Sequence, residues 1–306
     1  MPLIATGIYK QLIAKKQSAL GTKATAGSAQ TYRRVTSSLD LAKATYKSGE
    51  IRTSQQRSDF RHGVRSVAGA ISGELSPGTY QGFTESVCRA LASPAITTGA
   101  IVTVTAAVTS GAAGTFTRSS GSFITDGFLI GHVVNWSGWA TTGVPNNAHN
   151  FLITALSATV MTGIMLDGVA IGAKAAGDSV TGVTTKFVKV PLTGHTRDYW
   201  TIEHNFADIV QSEQFKDCVF KSMNVKLPAT GMATVDFNVM GLDMDTSTSA
   251  YFTSPTAPTT TGVLAAANGA LYIAGVAVGY ITAMDFTVDG NHTVPGGVVG
   301  SNVDPD

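Results

Sequence analysis

The sequence predicts a mainly β protein with one flanking α-helix and a small all-β domain inserted into the larger one. Three observations carry this. Apolar and small polar residues alternate with a period of two over residues 67–75, and again on both sides of Pro228-Ala229-Thr230-Gly231. Residues 97–187 are dominated by threonine, glycine, alanine and valine, with turn pairs recurring along them. Strong helical spacing occurs in one stretch, at Tyr80, Phe83, Val87 and Leu91. Side chains alternate across a strand but return every three to four residues along a helix, so the two patterns separate the two kinds of element.

Residues 1–49 are rich in lysine, alanine, threonine and serine, with weak helical periodicity around Ile8, Leu12 and Ile13. They read as an N-terminal arm with little to bury. Arg33 and Arg34, within Tyr32-Arg33-Arg34-Val35, and Leu39-Asp40-Leu41 are the points where such an arm docks, on its own domain or on a neighbour.

The main domain is expected to be discontinuous, from residues 50–96 and 188–306. In its first part, Val67, Gly69, Ile71, Gly73 and Leu75 share one face of a strand, and Ser66, Ala68, Ala70, Ser72 and Glu74 share the other. That is the pattern of a half-buried strand. Ser76-Pro77 then offers a capping hydroxyl and a first-turn proline, predicting a helix over residues 77–92 that Pro94 closes. Just before the strand, Asp59 lies between Arg57 and Arg61. At a seam between subunits, a bidentate arginine–carboxylate pair there sets register more than affinity.

Residues 97–187 read as the insertion. Turn signals at Ser110-Gly111, Ser120-Gly121, Asp126-Gly127, Asp167-Gly168 and Gly177-Asp178 separate segments of strand length at 101–108, 127–137, 150–156 and 159–166. Their spacing fits a compact barrel or sandwich. Phe116, Phe123, Phe128, Trp136, Trp139 and Phe151 are the large groups available to fill it. The competing reading leaves Trp136 and Trp139 exposed, with His149, as a contact set for sugar or a cell surface.

The main domain returns with a strand at 199–208, in which Trp200, Ile202 and Phe206 alternate with Thr201, Glu203 and Asn205. A hairpin follows. Val219, Met223, Val225 and Leu227 face Ala233, Val235, Phe237 and Val239 on its buried side. Ser222, Asn224, Lys226, Thr234, Asp236 and Asn238 occupy the opposite side, which can stand against water. With Glu74 they are the candidate lining of a channel. The last part carries loop signals at Pro255 and Pro258 and strand candidates at 269–273 and 277–288.

Only 13% of the 306 residues are charged, against roughly 25% in ordinary domains, and the net charge is +1. A surface so poor in charge is suited to meeting other protein, and it does not grip phosphate backbones by bulk charge. Cys88 and Cys218 are the two cysteines, far apart and outside any CxxC, which fits a reducing compartment. No apolar run approaches the roughly 20 residues of a membrane-spanning helix. Nucleophile-elbow, phosphate-loop, HExxH and EF-hand patterns are all missing, and the six histidines are scattered singly. The expectation is a protein without catalysis, metal or cofactor.

Glu50 through Arg52, Gln56 and Asp59-Phe60-Arg61-His62-Gly63 to Gly73-Glu74-Leu75-Ser76-Pro77-Gly78-Thr79-Tyr80 resembles the tail tube proteins of long, non-contractile-tailed bacteriophages. So do Asp198-Tyr199-Trp200-Thr201-Ile202-Glu203 with Gln211-Ser212-Glu213 and Leu227-Pro228-Ala229-Thr230-Gly231-Met232-Ala233. Ala250-Tyr251-Phe252-Thr253-Ser254-Pro255 to Gly300-Ser301-Asn302 makes a third stretch. The resemblance implies a tail-tube β-sandwich or barrel whose hairpins join a ring-wide inner β-barrel. It implies a virion protein, assembled in the host bacterial cytoplasm into stacked hexameric rings that conduct DNA during ejection. Implied partners are further copies of itself, a tape-measure protein in the lumen, a tail terminator, distal tail or baseplate proteins, and phage DNA that passes without specific binding. Arg33, Arg34, Arg57, Asp59 and Arg61 then become candidate contacts between subunits or rings, and residues 97–187 a domain on the outer surface. The resemblance also implies further strands past Asp306, so the sequence is a piece or its last strands come from elsewhere. The alternative is a carbohydrate-binding or adhesive β-protein acting through residues 97–187.

Overall fold

The computed structural model describes residues 4–54, 56, 59–140, 145–269, 271–273, 276–279 and 281–293. Arg57 and the motif at 301–306 lie outside the described residues. The chain divides into two compact units, one from Met1–Leu91, Lys189–Ala267 and Ala283–Asp306, the other from Ala92–Val188 and Asn268–Thr282.

In chain order the first unit begins with β1 (Lys10–Lys16), β2 (Gln30–Tyr32), β3 (Thr36–Ser37), β4 (Asp40–Lys47), β5 (Phe60–Glu74) and α1 (Gln81–Val87). The second unit contributes β6 (Val104–Ser110), β7 (Ala113–Arg118), β8 (Val133–Ser137), β9 (Asn150–Leu156), β10 (Val160–Met165) and β11 (Thr181–Thr184). The first unit resumes with β12 (Trp200–Phe206), β13 (Gln211–Pro228), β14 (Thr234–Gly241) and β15 (Asp243–Ser247). A two-stranded pair, β16 (Tyr272–Ile273) and β17 (Val276–Ala277), belongs to the second unit, and β18 (Ala283–Asp289) to the first.

Strands of the first unit run in the order β2-β1-β12-β13-β14-β5-β3, with β4 also on β5 and with β15 and β18 also on β13. The long β13 organises the unit. Its first half pairs with β12 and β15, its second with β14 and β18, and its register shifts between Phe220 and Ser222. A bulge lets a strand bend from one part of a sandwich into another while keeping its hydrogen bonds. The residues that close the core come from both halves: Phe215, Cys218, Phe220 and Met223 from β13 pack with Leu12 and Ala14 of β1, Val67 and Ile71 of β5, and Val235, Phe237 and Val239 of β14.

Residues 10–47, expected as an arm, instead supply four strands of this sheet. Leu12, Ile13 and Ala14 are each about 1% exposed, because β1 is covered on both faces: Leu12 and Ala14 enter the main core and Ile13 a smaller cluster with Ala24, Ala29 and Phe252. Such short segments leave no periodicity long enough to read in sequence.

β5 keeps the predicted alternation, with Val67, Ile71 and Gly73 buried. Gly73 is required by a close approach: a Cβ there would lie 1.8 Å from Tyr80 Oη, and that hydroxyl donates to Arg33 O at 2.8 Å. The helix is shorter than the predicted 77–92. Ser76 Oγ hydrogen-bonds Thr79 Oγ1 rather than capping a turn, Tyr80 is the N-cap, and Arg89 beyond the C-cap takes φ +50°. Tyr80, Phe83 and Val87 are buried, but Leu91, the fourth residue of the stripe, is 64% exposed. Phe83 stacks on Phe220 at 4.1 Å and on Tyr32 at 4.3 Å, and meets Trp200 and Phe237 edge-on.

β12 departs from its predicted half-exposure, since Trp200, Thr201, Ile202, Glu203 and His204 are all buried. Its polar face is covered by residues 251–252: Glu203 accepts the N–H of Tyr251 at 2.6 Å and of Phe252 at 3.0 Å, and the hydroxyl of Ser212 at 2.6 Å. Hydrogen bonds from three donors offset the cost of burying this carboxylate.

The second unit is a six-stranded antiparallel sheet ordered β11-β8-β9-β10-β7-β6. β7 and β10 alternate buried and half-buried residues strictly. Phe116, Phe123, Phe128, Trp136 and Phe151 have no exposed surface and Trp139 has 3%. The guanidinium of Arg118, also buried, is held by Asp126 at 2.7 Å and lies over the Phe123 ring.

Candidate functional site

The sheet face turned away from the main core is built by register. Across β13 and β14, Asn224 lies opposite Asp236, Lys226 opposite Thr234 and Ser222 opposite Asn238, while Val225 meets Val235 and Met223 meets Phe237 on the core side. Gly231 closes the turn with φ +115°, a left-handed conformation that glycine adopts without strain. The two apolar and polar sets of the predicted hairpin are therefore separated as expected below the bulge. Above it Val219 pairs with Met240 and Phe220 joins the core instead.

Pairing extends this face on both sides. On β5, Glu74 lies opposite Thr234, Ser72 opposite Asp236 and Ala70 opposite Asn238. Farther on, Asp40 of β4 is opposite Ala68. On the other flank β18 places Asp285 opposite Lys226, Thr287 opposite Asn224 and Asp289 opposite Ser222. Side chains of directly paired residues share a face. The surface thus carries Asp40, Glu74, Asp236, Asp285 and Asp289 with Lys226, and is acidic. Lys47 lies opposite Phe60 at the far end of β5, past a register shift between Lys43 and Thr45. The strand candidate at 277–288 falls at β18, but the sequence reading missed Asp285, Thr287 and Asp289 as part of this face, since their place beside β13 is set by pairing.

Within the face, Lys226 Nζ is 2.9 Å from Asp236 Oδ2, and Asn238 Nδ2 donates to Ser222 Oγ at 2.8 Å. The Asp236 contact raises the Lys226 pKa. Partial burial works against ionising Asp236, yet the Ser72 hydroxyl and Lys226 together hold its carboxyl below the usual range. Ser222 is buried, Thr234, Asp236 and Glu74 are half-buried, and Lys226 and Asn238 are exposed. Asn224 Oδ1 is buried with no hydrogen-bond partner among the described residues.

Both edges of this part of the sheet are open: β18 pairs with β13 alone and β4 with β5 alone among the described strands. Past Ser66, toward Phe60, β5 pairs with β4 alone among the described strands, so the two form a hairpin that outruns β14. At its loop end Asp59 accepts a hydrogen bond from Arg61 Nε at 2.8 Å, an exposed pair. Arg33 is engaged inside the unit, donating to Thr261 O at 2.7 Å and Ser76 Oγ at 3.4 Å. Arg34 donates to Gly7 O at 2.9 Å and to Lys10 O.

Trp136 and Trp139 are core residues, so the competing reading of an exposed aromatic pair is corrected. Their rings meet Phe116 and each other because no other side chains of that volume are available in a unit built of threonine, glycine and alanine. His149 Nδ1 contacts Asp167 Oδ2 instead. Among the described residues no group of three or more His, Cys, Asp or Glu could hold a metal ion, and no helix is long and apolar enough to cross a membrane.

The described residues thus define a mainly β protein of antiparallel sheets, with an extended polar face and open edges. The chain belongs to a family described as phage tail tube protein, whose model matches residues 10–306. It is a structural protein of the bacteriophage virion, a part of the viral tail. Among curated proteins none matches it.

Proposed function

We propose that the chain assembles head to tail into hexameric rings that stack into the hollow tube of a long, non-contractile tail, the conduit for DNA ejection. The observation that carries this reading is the polar face spanning β18, β13, β14, β5 and β4 and ending in two open edges. Pairing the β18 edge of one subunit with the β4 edge of the next removes both edges and extends the face into a closed barrel. Such contacts are heterologous, which is how one chain generates rings and stacked assemblies. Ser222, Asn224, Lys226, Thr234, Asp236, Asn238 and Glu74 then line the lumen. An acidic lining repels phosphate, so DNA slides without the friction of counterion-releasing contacts.

In this reading assembly takes place in the host cytoplasm, a tape-measure protein occupies the growing lumen, and terminator and distal tail proteins close the ends. Residues 97–187 stand on the outer surface, and Arg33, Arg34, Arg57, Asp59 and Arg61 lie near contacts between subunits or rings. The test is negative-stain electron microscopy of the purified chain and of native tails. Hollow rings or tubes are expected; discrete globules from the purified chain together with native tails that lack it would sink the reading. Asn224→Arg and Asp236→Arg are expected to leave tubes intact while making them retain DNA at low salt and release it at high salt.

A further inference from the structure

A groove of about 870 Å³ opens in the first unit between the start of β1, β2 and the segment before β3, walled by Ile8, Val35, Pro255 and Pro258 and carrying Lys10 and Arg34. Among the described residues its two cations meet backbone carbonyls and no carboxylate: Lys10 Nζ donates to Ser37 O at 2.8 Å, and Arg34 to Gly7 O and Lys10 O. Burial lowers the pKa of both, and neither has a carboxylate at ion-pair distance among the described residues. Glu213 acts on Lys10 from a distance, opposing the effect of burial, and is itself 3.4 Å from His204 Nδ1. Arg34 Nε is buried without an acceptor. Ile8 and Val35 are 85% and 59% exposed, so the apolar wall is equally uncovered. Half-buried cations beside bare apolar surface call for a partner that brings a carboxylate next to an apolar side chain.

The chain carries such a pair at the far end of the same strand system. In the loop joining β4 to β5, Glu50 is followed by Ile51, which is fully exposed. Among the described residues the Glu50 carboxylate pairs with Arg52 alone, an exposed contact at 3.6 Å of a kind that contributes little. The groove lies beside the other end of β5, since Val35 N donates to Ser72 O and Thr36 pairs with Ser72. The loop leaves from Phe60. Twelve residues of strand separate Phe60 from Ser72, about 40 Å at ~3.3 Å per residue. One chain therefore cannot bring its own loop to its own groove while β5 is formed. A second copy displaced along β5 by that length does bring them together.

We infer that the groove is the socket for the Glu50-Ile51 loop of a second copy, with Glu50 meeting Lys10 and Arg34 and Ile51 covering Ile8 and Val35. This rests on the tube reading and specifies a contact between successive rings.

The test is cysteine cross-linking of assembled tubes carrying Ile51→Cys with Val35→Cys. Both native cysteines are buried, which keeps the background low. Under mild oxidation the double variant is expected to give a ladder of multimers on a non-reducing gel, absent from either single variant. In parallel, Glu50→Lys is expected to shorten tubes at least tenfold while rings persist, with length recovered when Lys10→Glu is added. Wild-type tubes, no ladder and unchanged length in Glu50→Lys would overturn the socket while leaving the tube reading standing. A wild-type chain that forms neither rings nor tubes would overturn both.

Discussion

The carboxylate of Glu203, which has no exposed surface, accepts the backbone N–H of Phe252 at 3.0 Å and so fixes residues 251–252 over the outer face of β12. The small cluster of Ile13, Ala24, Ala29 and Phe252 forms beneath that contact. Glu203→Ala leaves the buried N–H of Phe252 and the part-buried N–H of Tyr251 without an acceptor. Each such orphan costs about 1–3 kcal/mol, so a loss of about 2–6 kcal/mol is expected in chemical denaturation. An unchanged midpoint would mean that the segment is held by its side chains alone.

Phe83 and Leu91 test the extent of the helix. Phe83 is fully buried against Phe220, Tyr32, Trp200 and Phe237, and Phe83→Ala is expected to cost about 3–5 kcal/mol. Leu91 is largely exposed, and Leu91→Ala is expected to stay within about 0.5 kcal/mol of wild type. Equal losses at both positions would restore the longer helix.

Acidity should weaken the first unit through His204. Burial is the main cause of its lowered pKa, with Lys10 and Arg34 adding to it and Glu213 opposing. The unfolded chain then binds the proton more readily than the folded one below the ordinary value of about 6.5. Stability from this group is present above that value and is lost as pH falls toward the folded-state pKa. His204→Asn should flatten this slope between pH 7 and 5 in thermal melts; a slope identical to wild type would assign it elsewhere.

Trp136 distinguishes a core from a ligand surface. Trp136→Ala is expected to destabilise the second unit by about 3–5 kcal/mol, with early loss of near-ultraviolet signal from that unit. A folded, equally stable variant that lost binding on a glycan array would instead revive the adhesive reading.

Much of the polar face was legible before any coordinates. The alternation along β5 and around the turn at Gly231 assigns Glu74, Ser222, Asn224, Lys226, Thr234, Asp236 and Asn238 to one side, because a two-residue period and a turn glycine are properties of local backbone geometry. The strands of β1, the covered polar side of β12, the end of α1 at Arg89 and the place of β18 next to β13 were not legible. Each depends on what a distant segment lays against it: Phe252 over β12, β12 against β1, and β13 beside Asp285 and Asp289. The chain's own pattern determined which residues could share a face. Tertiary pairing decided which faces met water, since burial is a relation between segments that no single segment encodes.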